Sequence, residues 1–388
     1  MPENILYNII LQSFNGKNSM IEFRINLFSA TLQTLNYSLM SEHYRQAGVD
    51  IAAGDTASSA AAAAARSTFA GRAGKIGAPV DLPGGFAGAL DFGDFYLVQC
   101  CDTVGTKIDL CKRVGDYSQL GHDLLAMVAD DAVCLGAEVV SLTNTFETDS
   151  IRQDDIATMM QSLAAACRAQ QIVIAGGEIA EVGAKIDGTS WGADAVGIVA
   201  KDKVITGKQV QAGDAIIALE ETGFRCNGYS LVRKIIREYA PDDTALMQEC
   251  ITGSRVYHKA ILAVHGRYGE TAKATITGIA HITGGGIPGN LNRILKKRGL
   301  GARLDGLFAP PPAMQRLQAL GSVPAQEFYQ VWNGGNGMLL TCPNTEAARI
   351  VELLEQNGAP ARVAGEVISG DSIELHAWNG EQLSYPLA

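Results

Sequence analysis

Three aspartates in one stretch of the sequence have the spacing of a site for a metal ion and a phosphate. Asp102 ends a run of strand character over residues 95–101, and Asp130 and Asp131 lie on the helix predicted to follow. Asp131 falls on the apolar stripe of that helix, where a carboxylate is costly unless something positive pairs with it. The alternative is a carboxylate that caps a nearby helix or pairs with a buried arginine. Asp102 at the strand end favours the metal–phosphate hypothesis.

The elements that position these aspartates are predicted from periodicity. Apolar residues at helical spacing mark the helix, namely Leu120, Leu124, Met127, Val128 and Leu135. Residues 171–175 form a second apolar strand, which ends in Gly176, Gly177 and Glu178 and so delivers another carboxylate from its C-terminal end. Strands that alternate with helices and carry acidic residues at their ends are typical of ligand-binding α/β proteins.

Two glycine-rich segments could cover phosphate groups. Residues 71–94 hold many glycines, which permit close approach of the backbone to a ligand, although a plain connecting loop is the alternative. Residues 281–289 run from His281 through three glycines to the start of a predicted helix. A glycine turn that leads into a helix N-terminus can bind an anion.

Composition restricts the classes of function. A chain of 388 residues exceeds the usual size of one core, so two domains are expected. The net charge of −10 argues against a general nucleic-acid or membrane-surface binder, but not against a small phosphorylated ligand. The eight cysteines show no metal-ligand spacing, which favours a reducing cytoplasm. No run of 18 apolar residues exists, so no membrane-spanning helix is expected.

The chain is predicted to divide into three parts. Residues 1–39 are Asn-rich without clear periodicity and are predicted to be a peripheral extension. Residues 40–205 and 206–388 are predicted to form an N-terminal and a C-terminal domain, with the boundary in the polar, turn-rich segment 201–213. Both halves mix strands and helices, which predicts the α/β class with a mixed α+β arrangement.

Eight segments resemble a known family. The chain contains YRQAGVDIAAG, LPGGFAGAL, DTVGTK, GHDLLAMVADDAVCLGAE, GGEIAE, NGYSLVRKI, AHITGGGIPGNLNR and WNGGNGM, in that order. Over residues 44–370 it is similar to aminoimidazole ribonucleotide synthetase, also called phosphoribosylformylglycinamidine cyclo-ligase. The combination is specific, although each segment alone is not. The resemblance implies two-domain subunits whose N-terminal sheets pair into a barrel across a homodimer, with ATP near the interface.

The resemblance also implies a reaction of purine biosynthesis. ATP would phosphorylate the formyl amide oxygen of formylglycinamidine ribonucleotide, and the neighbouring nitrogen would then close the imidazole ring and expel phosphate. Such chemistry needs Mg²⁺ and a site that excludes water. Two alternatives stay open. One is another ATP-dependent phosphotransferase of the superfamily, similar to selenophosphate synthetase or thiamine-phosphate kinase. The other is a non-catalytic paralogue that binds nucleotide.

Carried over position by position, the resemblance assigns site residues. The implied Mg²⁺ ligands are Asp102, Asp131 and Glu178. The implied catalytic residues are Lys107, Arg225, Asn227 and His281. Among these, Lys107 would place a charge on phosphate, and His281 would bind substrate phosphate or transfer a proton; a hydrogen-bonded structural histidine is the alternative. The implied nucleotide-binding residues are Gly84, Gly85, Gly88, Asp102, Gly105, Thr106, Gly284, Gly285 and Gly286.

The sequence departs from the family pattern at several positions. The departing residues are Thr103, Asp130, Ile179, Arg225 and Gly289, where the family has Gly, Asn, Thr, His and Glu. The arginine is the largest change, because histidine can pass a proton at neutral pH whereas arginine stays protonated. The sequence leaves open which of Asp130 and Asp131 would bind the metal.

Overall fold

The structure, a computed structural model, describes residues 51–82, 86–296 and 299–387. The predicted extension over residues 1–39 lies outside this described part. Residues 62–388 cluster into one compact unit of mixed α/β structure, so the predicted fold class is confirmed. Among the described residues, none of the helices combines the length and the apolar character needed to cross a membrane.

The first sheet has six strands. These are β1 (Ala78–Val80), β2 (Gly88–Asp91), β3 (Phe95–Thr103), β4 (Glu138–Thr148), β5 (Val173–Glu181) and β6 (Thr189–Ala200). Their order is β1-β2-β3-β6-β4-β5, and only the β4–β5 pair is parallel. The helices in this half are α1 (Ile51–Ser67), α2 (Lys107–Val114), α3 (Leu120–Val133) and α4 (Gln153–Gln170).

The second sheet has seven strands. These are β7 (Ala215–Glu220), β8 (Gly278–His281), β9 (Leu300–Leu304), β10 (Asn336–Cys342), β11 (Ala361–Ser369), β12 (Ser372–His376) and β13 (Gln382–Pro386), in the order β13-β12-β9-β11-β7-β10-β8. Its helices are α5 (Tyr229–Tyr239), α6 (Thr244–Cys250), α7 (His258–His265), α8 (Gly286–Leu295), α9 (Pro312–Leu320), α10 (Ala325–Val331) and α11 (Ala347–Gln356).

Helix α3 is the central helix of the site and is buried on nearly all sides. The predicted apolar stripe is buried, but so are most residues between its members, and Leu135 lies just beyond the end of the helix. α3 packs against β3, β4, β6, α4 and α7. A Cβ at Gly121 would lie 2.0 Å from the backbone nitrogen of Leu163, so the close contact with α4 requires glycine. Every polar side chain on α3 therefore needs a partner within the protein.

The first sheet has two distinct faces, because side chains alternate along a strand. On β3, Val98 is fully buried and Cys100 donates to the carbonyl oxygen of Val128 in α3 at 2.9 Å, so even-numbered residues face this helix. Gln99 and Cys101 are exposed on the opposite side. We call the side towards α3 the inner face and the other the outer face.

His258, at the start of α7, should make stability depend on pH. Burial lowers its pKa to about 3, with Arg267 as a second cause, and its Nε2 accepts from the backbone nitrogen of Val139 at 2.9 Å. Because the folded pKa is depressed, the unfolded chain binds the extra proton, and stability falls as pH drops below about 6.5. His258→Gln should reduce the loss between pH 7.5 and pH 5 by on the order of 2 kcal/mol.

The measurement is urea denaturation at both pH values. His376→Gln is the matched control, because His376 is exposed at the end of β12. A His258→Gln protein that loses as much stability on acidification as the wild type would contradict the assignment.

Candidate functional site

The turn after β3 is built by short hydrogen bonds. Asp102 Oδ1 accepts from the backbone nitrogen of Thr103 at 2.7 Å, and Thr103 Oγ1 accepts from the nitrogen of Gly105 at 3.1 Å. Gly105 has a φ of 54°, which favours glycine. Thr106 is exposed and precedes α2 as its N-cap residue. Thr103 pairs with Gly192 as the last residue of β3, so a β-branched side chain is well accommodated there.

Asp102 and Asp131 form a pair of carboxylates beneath this turn. Burial and the neighbouring Asp131 together raise the pKa of Asp102 to about 6, although the hydrogen bond from the backbone of Thr103 lowers it. Burial raises the pKa of Asp131 to about 7, although Arg293 and Arg225 lower it. Two poorly solvated carboxylates that repel each other are unfavourable when both are ionised. A cation bound to both would stabilise their charged forms.

His281 connects this pair to the second half of the chain. It is fully buried at the end of β8, with Nδ1 2.6 Å from Asp131 Oδ1 and Nε2 2.8 Å from Arg225 Nη2. Burial lowers the pKa of His281 well below its ordinary value, with Arg225 as the next cause, so the ring is neutral. Both ring nitrogens therefore contact side chains of the protein, which agrees with the alternative of a hydrogen-bonded structural histidine.

Arg225 is fully buried between two carboxylates. Its guanidinium lies 2.7 Å from Asp130 Oδ2 and 2.8 Å from Glu221 Oε2. Burial alone would lower the pKa of Arg225, but Asp130 and Glu221 raise it above its ordinary value. Arg225 also has a φ of 57°, which is uncommon for a residue with a side chain. The ion pairs hold this backbone conformation in place.

Asp130 has a structural role that differs from that of Asp131. Besides Arg225, Asp130 accepts from the backbone nitrogens of Tyr257 and His258 at 2.9 and 3.1 Å, and so caps α7. It is fully buried, whereas the side chain of Asp131 is 17% exposed. The alternative for Asp131 was a carboxylate that caps a nearby helix or pairs with a buried arginine. Asp130 does both of these in the structure. Only Asp131 has the partial exposure that an ion could reach.

Lys107 is fully engaged in the structure. Its ammonium lies 2.7 Å from Asp123 Oδ2 and donates to the carbonyl oxygen of Thr252 at 2.7 Å, with both side chains of the ion pair fully buried. Ser254 completes the arrangement by donating to Asp123 through its backbone nitrogen at 2.9 Å. In this conformation Lys107 fastens the start of α2 to the second half of the chain and does not extend into solvent.

The three glycines after β8 form a tight turn into α8. Gly285 and Gly286 have φ values of 89° and 60°, and a Cβ at Gly286 would lie 1.9 Å from the carbonyl oxygen of Tyr329. Asn290, fully buried, donates to the carbonyl oxygens of Gly284 and Gly286 at 3.2 and 2.8 Å. Gly284 and Gly285 are exposed, which leaves the turn accessible to an anion.

Segments from both halves of the chain converge at this site. A Cβ at Gly105 would lie 3.5 Å from the carbonyl oxygen of Cys226, and one at Gly284 would lie 3.6 Å from Asn227 Oδ1. Asn227 also lies 4.0 Å from the sulfur of Met127 in α3. The turn after β3, the loop 225–228, the glycine turn and α3 are therefore neighbours. Two neighbouring segments of the first half and two segments of the second half of the chain therefore form one site.

Glu178 lies on the opposite side of the first sheet from this site. Residues directly paired across strands share a face. The cross-strand row that contains Glu178 runs through Thr145, Gly192 and Thr103. Thr103 is on the outer face, whereas Asp102 is on the inner face towards α3. Glu178 therefore cannot share an ion with Asp102 and Asp131 within one chain.

Within one chain, the structure thus brings two of the three predicted metal ligands together, Asp102 and Asp131, and places Glu178 on the other face of the sheet. Among the residues that the structure describes, no group of three or more His, Cys, Asp or Glu side chains could hold a metal ion. The physical reason is that side chains alternate between the two faces along each β-strand. The sequence alone does not show how this alternation lines up across four paired strands. Asp102 and Asp131 still fit Mg²⁺, which is commonly held by one or two carboxylates together with substrate phosphates and water.

The glycine-rich segment before β2 is described only in part. Gly84 and Gly85 lie outside the described residues. Gly88 is the first residue of β2 and pairs with Gln99. Phe86 is buried, and the guanidinium of Arg293 in α8 lies 4.5 Å from its ring centre. The segment therefore returns to the sheet beside the helix that follows the glycine turn.

Comparison with known proteins identifies the family. Profiles described as "AIR synthase related protein, N-terminal domain" and "AIR synthase related protein, C-terminal domain" match residues 84–199 and 211–377. The chain is 32% identical over 311 residues to phosphoribosylformylglycinamidine cyclo-ligase of Methanococcus maripaludis, covering 78% of this chain and 85% of the relative. The chain belongs to the phosphoribosylformylglycinamidine cyclo-ligase family. The predicted family resemblance is confirmed.

Solved structures share the fold of this cyclo-ligase family member. T. maritima PurL complexed with FGAR aligns with a TM-score of 0.57 and 16% identity, over 79% of this chain and 48% of that chain. Hydrogenase maturation protein HypE in complex with ATP aligns with a TM-score of 0.53 and 15% identity, over 74% of this chain and 84% of that chain.

Two departures from the cyclo-ligase family pattern are in contact with each other. Asp130 stands where the family has Asn, and Arg225 where it has His, and the two side chains form an ion pair at 2.7 Å. The added negative charge therefore has its counter-charge in the second departure. The sequence shows both changes, but not that they touch.

Several residues that shape the site were not singled out from the sequence. Asp123 and Glu221 are the buried partners of the two cations, and Asn290 fixes the glycine turn. Asp123 lies in the GHD segment as the fourth residue of α3, and this acidic position in the first turn of a buried helix was a usable signal. Glu221 follows an apolar strand directly, which is a second signal of the kind that identified Asp102.

Proposed function

We propose that this protein catalyses the ATP-dependent ring closure of formylglycinamidine ribonucleotide to aminoimidazole ribonucleotide, with release of ADP and phosphate. The observation that carries the proposal is the convergence of the turn after β3, α3, the loop 225–228 and the glycine turn. Each of these segments holds a family motif. Relatives named cyclo-ligase favour this function over the phosphotransferase and the non-catalytic alternative. The HypE structure with ATP shares the fold and is consistent with nucleotide binding.

The residues of the site would divide the work as follows. Asp102 and Asp131 would hold Mg²⁺, which would supply positive charge against the transferred phosphoryl group. The exposed backbone of Gly284 and Gly285 binds a phosphate at the N-terminus of α8. Gly105 and Thr106 line the nucleotide from the turn after β3.

Three of the implied catalytic residues take supporting roles in this proposal. Lys107 and Arg225 are each fixed by buried carboxylates, so they hold the two halves of the chain together around the site. Asn227, next to the glycine turn, is placed to orient the substrate through its amide. The neighbouring nitrogen of the acyclic substrate would form a bond to the formyl carbon, whose oxygen carries the phosphoryl group from ATP. The bond between that carbon and the phosphorylated oxygen would break, and phosphate would leave as the imidazole ring closes with loss of a proton.

The deciding experiment is to incubate the purified protein with Mg-ATP and formylglycinamidine ribonucleotide. Aminoimidazole ribonucleotide and ADP are expected in equal amounts. ATP hydrolysis without the ribonucleotide product, or tight ATP binding without turnover, would contradict the proposal. Omission of Mg²⁺ should abolish turnover.

We also propose that the chain works as a homodimer and divides into domains at 40–205 and 206–388. The separate sheets, and family profiles that end at 199 and begin at 211, support this division. β5 ends the first sheet, and its exposed Val173 pairs with Ser141 on the outer face. A second subunit covering this face would bury Val173. A reducing cytoplasmic location is consistent with eight free cysteines.

A charge on the outer face should therefore dissociate the dimer. Val196 lies on the central strand β6, paired with Gln99 and Ser141 on that face. Val196→Lys should shift the sedimentation coefficient from dimer to monomer, because burying an unpaired ammonium is costly. Val363→Lys is the control, because Val363 is 48% exposed in the second sheet. A Val196→Lys protein that sediments as the wild type does would contradict this interface.

A further inference from the structure

Four side chains form a chain of contacts between two adjacent residues of α3. Asp130 pairs with Arg225 at 2.7 Å, Arg225 Nη2 lies 2.8 Å from His281 Nε2, and His281 Nδ1 lies 2.6 Å from Asp131 Oδ1. A guanidinium has only donors, so His281 Nε2 must accept the hydrogen bond from Arg225. A neutral imidazole carries one proton, which must then be on Nδ1.

We propose that Arg225 is a positioning residue that fixes His281 as the Nδ1–H tautomer, so that His281 donates to Asp131 and orients this carboxylate towards Asp102. The inference rests on the proposed function, in which Asp131 holds Mg²⁺. Asp131 Oδ1 is occupied by the imidazole, and among the described residues no hydrogen bond is made to its other oxygen, which would therefore be the one to hold the cation. A carboxylate held by a hydrogen-bond donor loses less orientational freedom when it binds an ion.

The arrangement of Arg225 makes this orientation rigid. Besides His281, the guanidinium donates to Asp130, to Glu221 and to the carbonyl oxygen of Arg255 at 2.7, 2.8 and 3.0 Å. It therefore has no freedom to turn away from the imidazole. A flip of the His281 ring would place carbon atoms opposite both partners and break both hydrogen bonds. One tautomer and one ring orientation allow both hydrogen bonds of the imidazole.

This geometry gives His281 a role other than proton transfer. Its Nε2 lone pair is occupied by Arg225, and its only proton is directed at Asp131. The ring is also fully buried, so no substrate atom reaches it in this conformation. A neutral histidine can accept as well as donate, whereas the guanidinium of Arg225 can only donate. In this chain the arginine therefore makes the donor to His281 Nε2 permanent.

The tautomer can be measured without activity, by nitrogen NMR of the metal-free protein labelled at histidine. The chain has six histidines, and the signals lost in His281→Asn identify this residue. We expect a protonated Nδ1 and an unprotonated Nε2. A proton on Nε2, or on both nitrogens, at neutral pH would overturn the proposal.

A pair of variants separates positioning from proton transfer. The amide of His281→Asn can donate from nearly the position of Nδ1, whereas His281→Leu has no donor. We expect His281→Asn to keep activity within about tenfold of the wild type, and His281→Leu to lose about 100-fold and to need more Mg²⁺ for half-maximal rate. Equal losses in both variants would overturn the positioning role. A wild-type protein that forms no aminoimidazole ribonucleotide would refute the proposed function, while the NMR result would still decide the tautomer.

Discussion

Replacing Arg225 with His is expected to lower the free energy of unfolding by about 3–5 kcal/mol, because the buried carboxylates of Asp130 and Glu221 lose their guanidinium. Adding Asp130→Asn to the same protein should recover part of this loss, because one of the two unpaired charges is removed. The expected coupling energy between the two positions is about 2 kcal/mol. Urea denaturation of the wild type, both single variants and the double variant, at pH 8 and one protein concentration, measures it.

A nearby ion pair provides the control for this cycle. Arg255 and Glu220 are 3.1 Å apart but about one-third exposed, at 32% and 35%. The corresponding cycle with Arg255→His and Glu220→Gln should give a coupling energy below about 1 kcal/mol, since solvent screens the pair. If the costs of Arg225→His and Asp130→Asn simply add, the two departures from the family pattern do not compensate each other.

Replacing Asp131 with Asn is expected to lower kcat/KM for Mg-ATP by at least about 100-fold, which corresponds to roughly 3 kcal/mol of transition-state stabilisation. The amide keeps the size of the side chain and removes the charge that would hold Mg²⁺. The concentration of Mg²⁺ that gives half the maximal rate should rise as well. Steady-state kinetics over a range of Mg²⁺ concentrations measure both quantities.

Glu178→Gln provides the comparison for this prediction. Because Glu178 lies on the outer face of the first sheet, its replacement should leave the Mg²⁺ concentration for half-maximal rate unchanged. An equal effect at Glu178 and Asp131 would show that both bind one ion, which this fold permits only through a second subunit. Unchanged activity of Asp131→Asn would remove Asp131 from the site.

The local sequence around α3 was informative because helix and strand periods are local properties. It predicted a strand that ends at Asp102, a helix that carries Asp130 and Asp131, and a glycine turn that leads into a helix. All three elements are present in the structure, and β3 extends one residue further than predicted, to Thr103. The order of motifs also identified the family, because eight weak signals in a fixed order are specific together.

The roles of the charged residues depended on contacts between distant segments. Successive helical residues point about 100° apart, so Asp130 faces Arg225 and α7 while Asp131 faces His281. Because side chains alternate along a β-strand, Glu178 lies on the outer face of the first sheet and Asp102 lies on its inner face. Neither assignment follows from spacing within one element, because both depend on which other segments pack there.

The sequence by itself determined the family, the fold class and the motifs that meet at the site. The tertiary structure alone decided that Asp130 is structural, that Lys107 and Arg225 are held by buried carboxylates, and that Glu178 is separated from the carboxylate pair. The physical reason is desolvation. A buried charge is tolerated only with a partner. Here the partners come from segments up to 150 residues apart, as in the contact of Asp131 with His281.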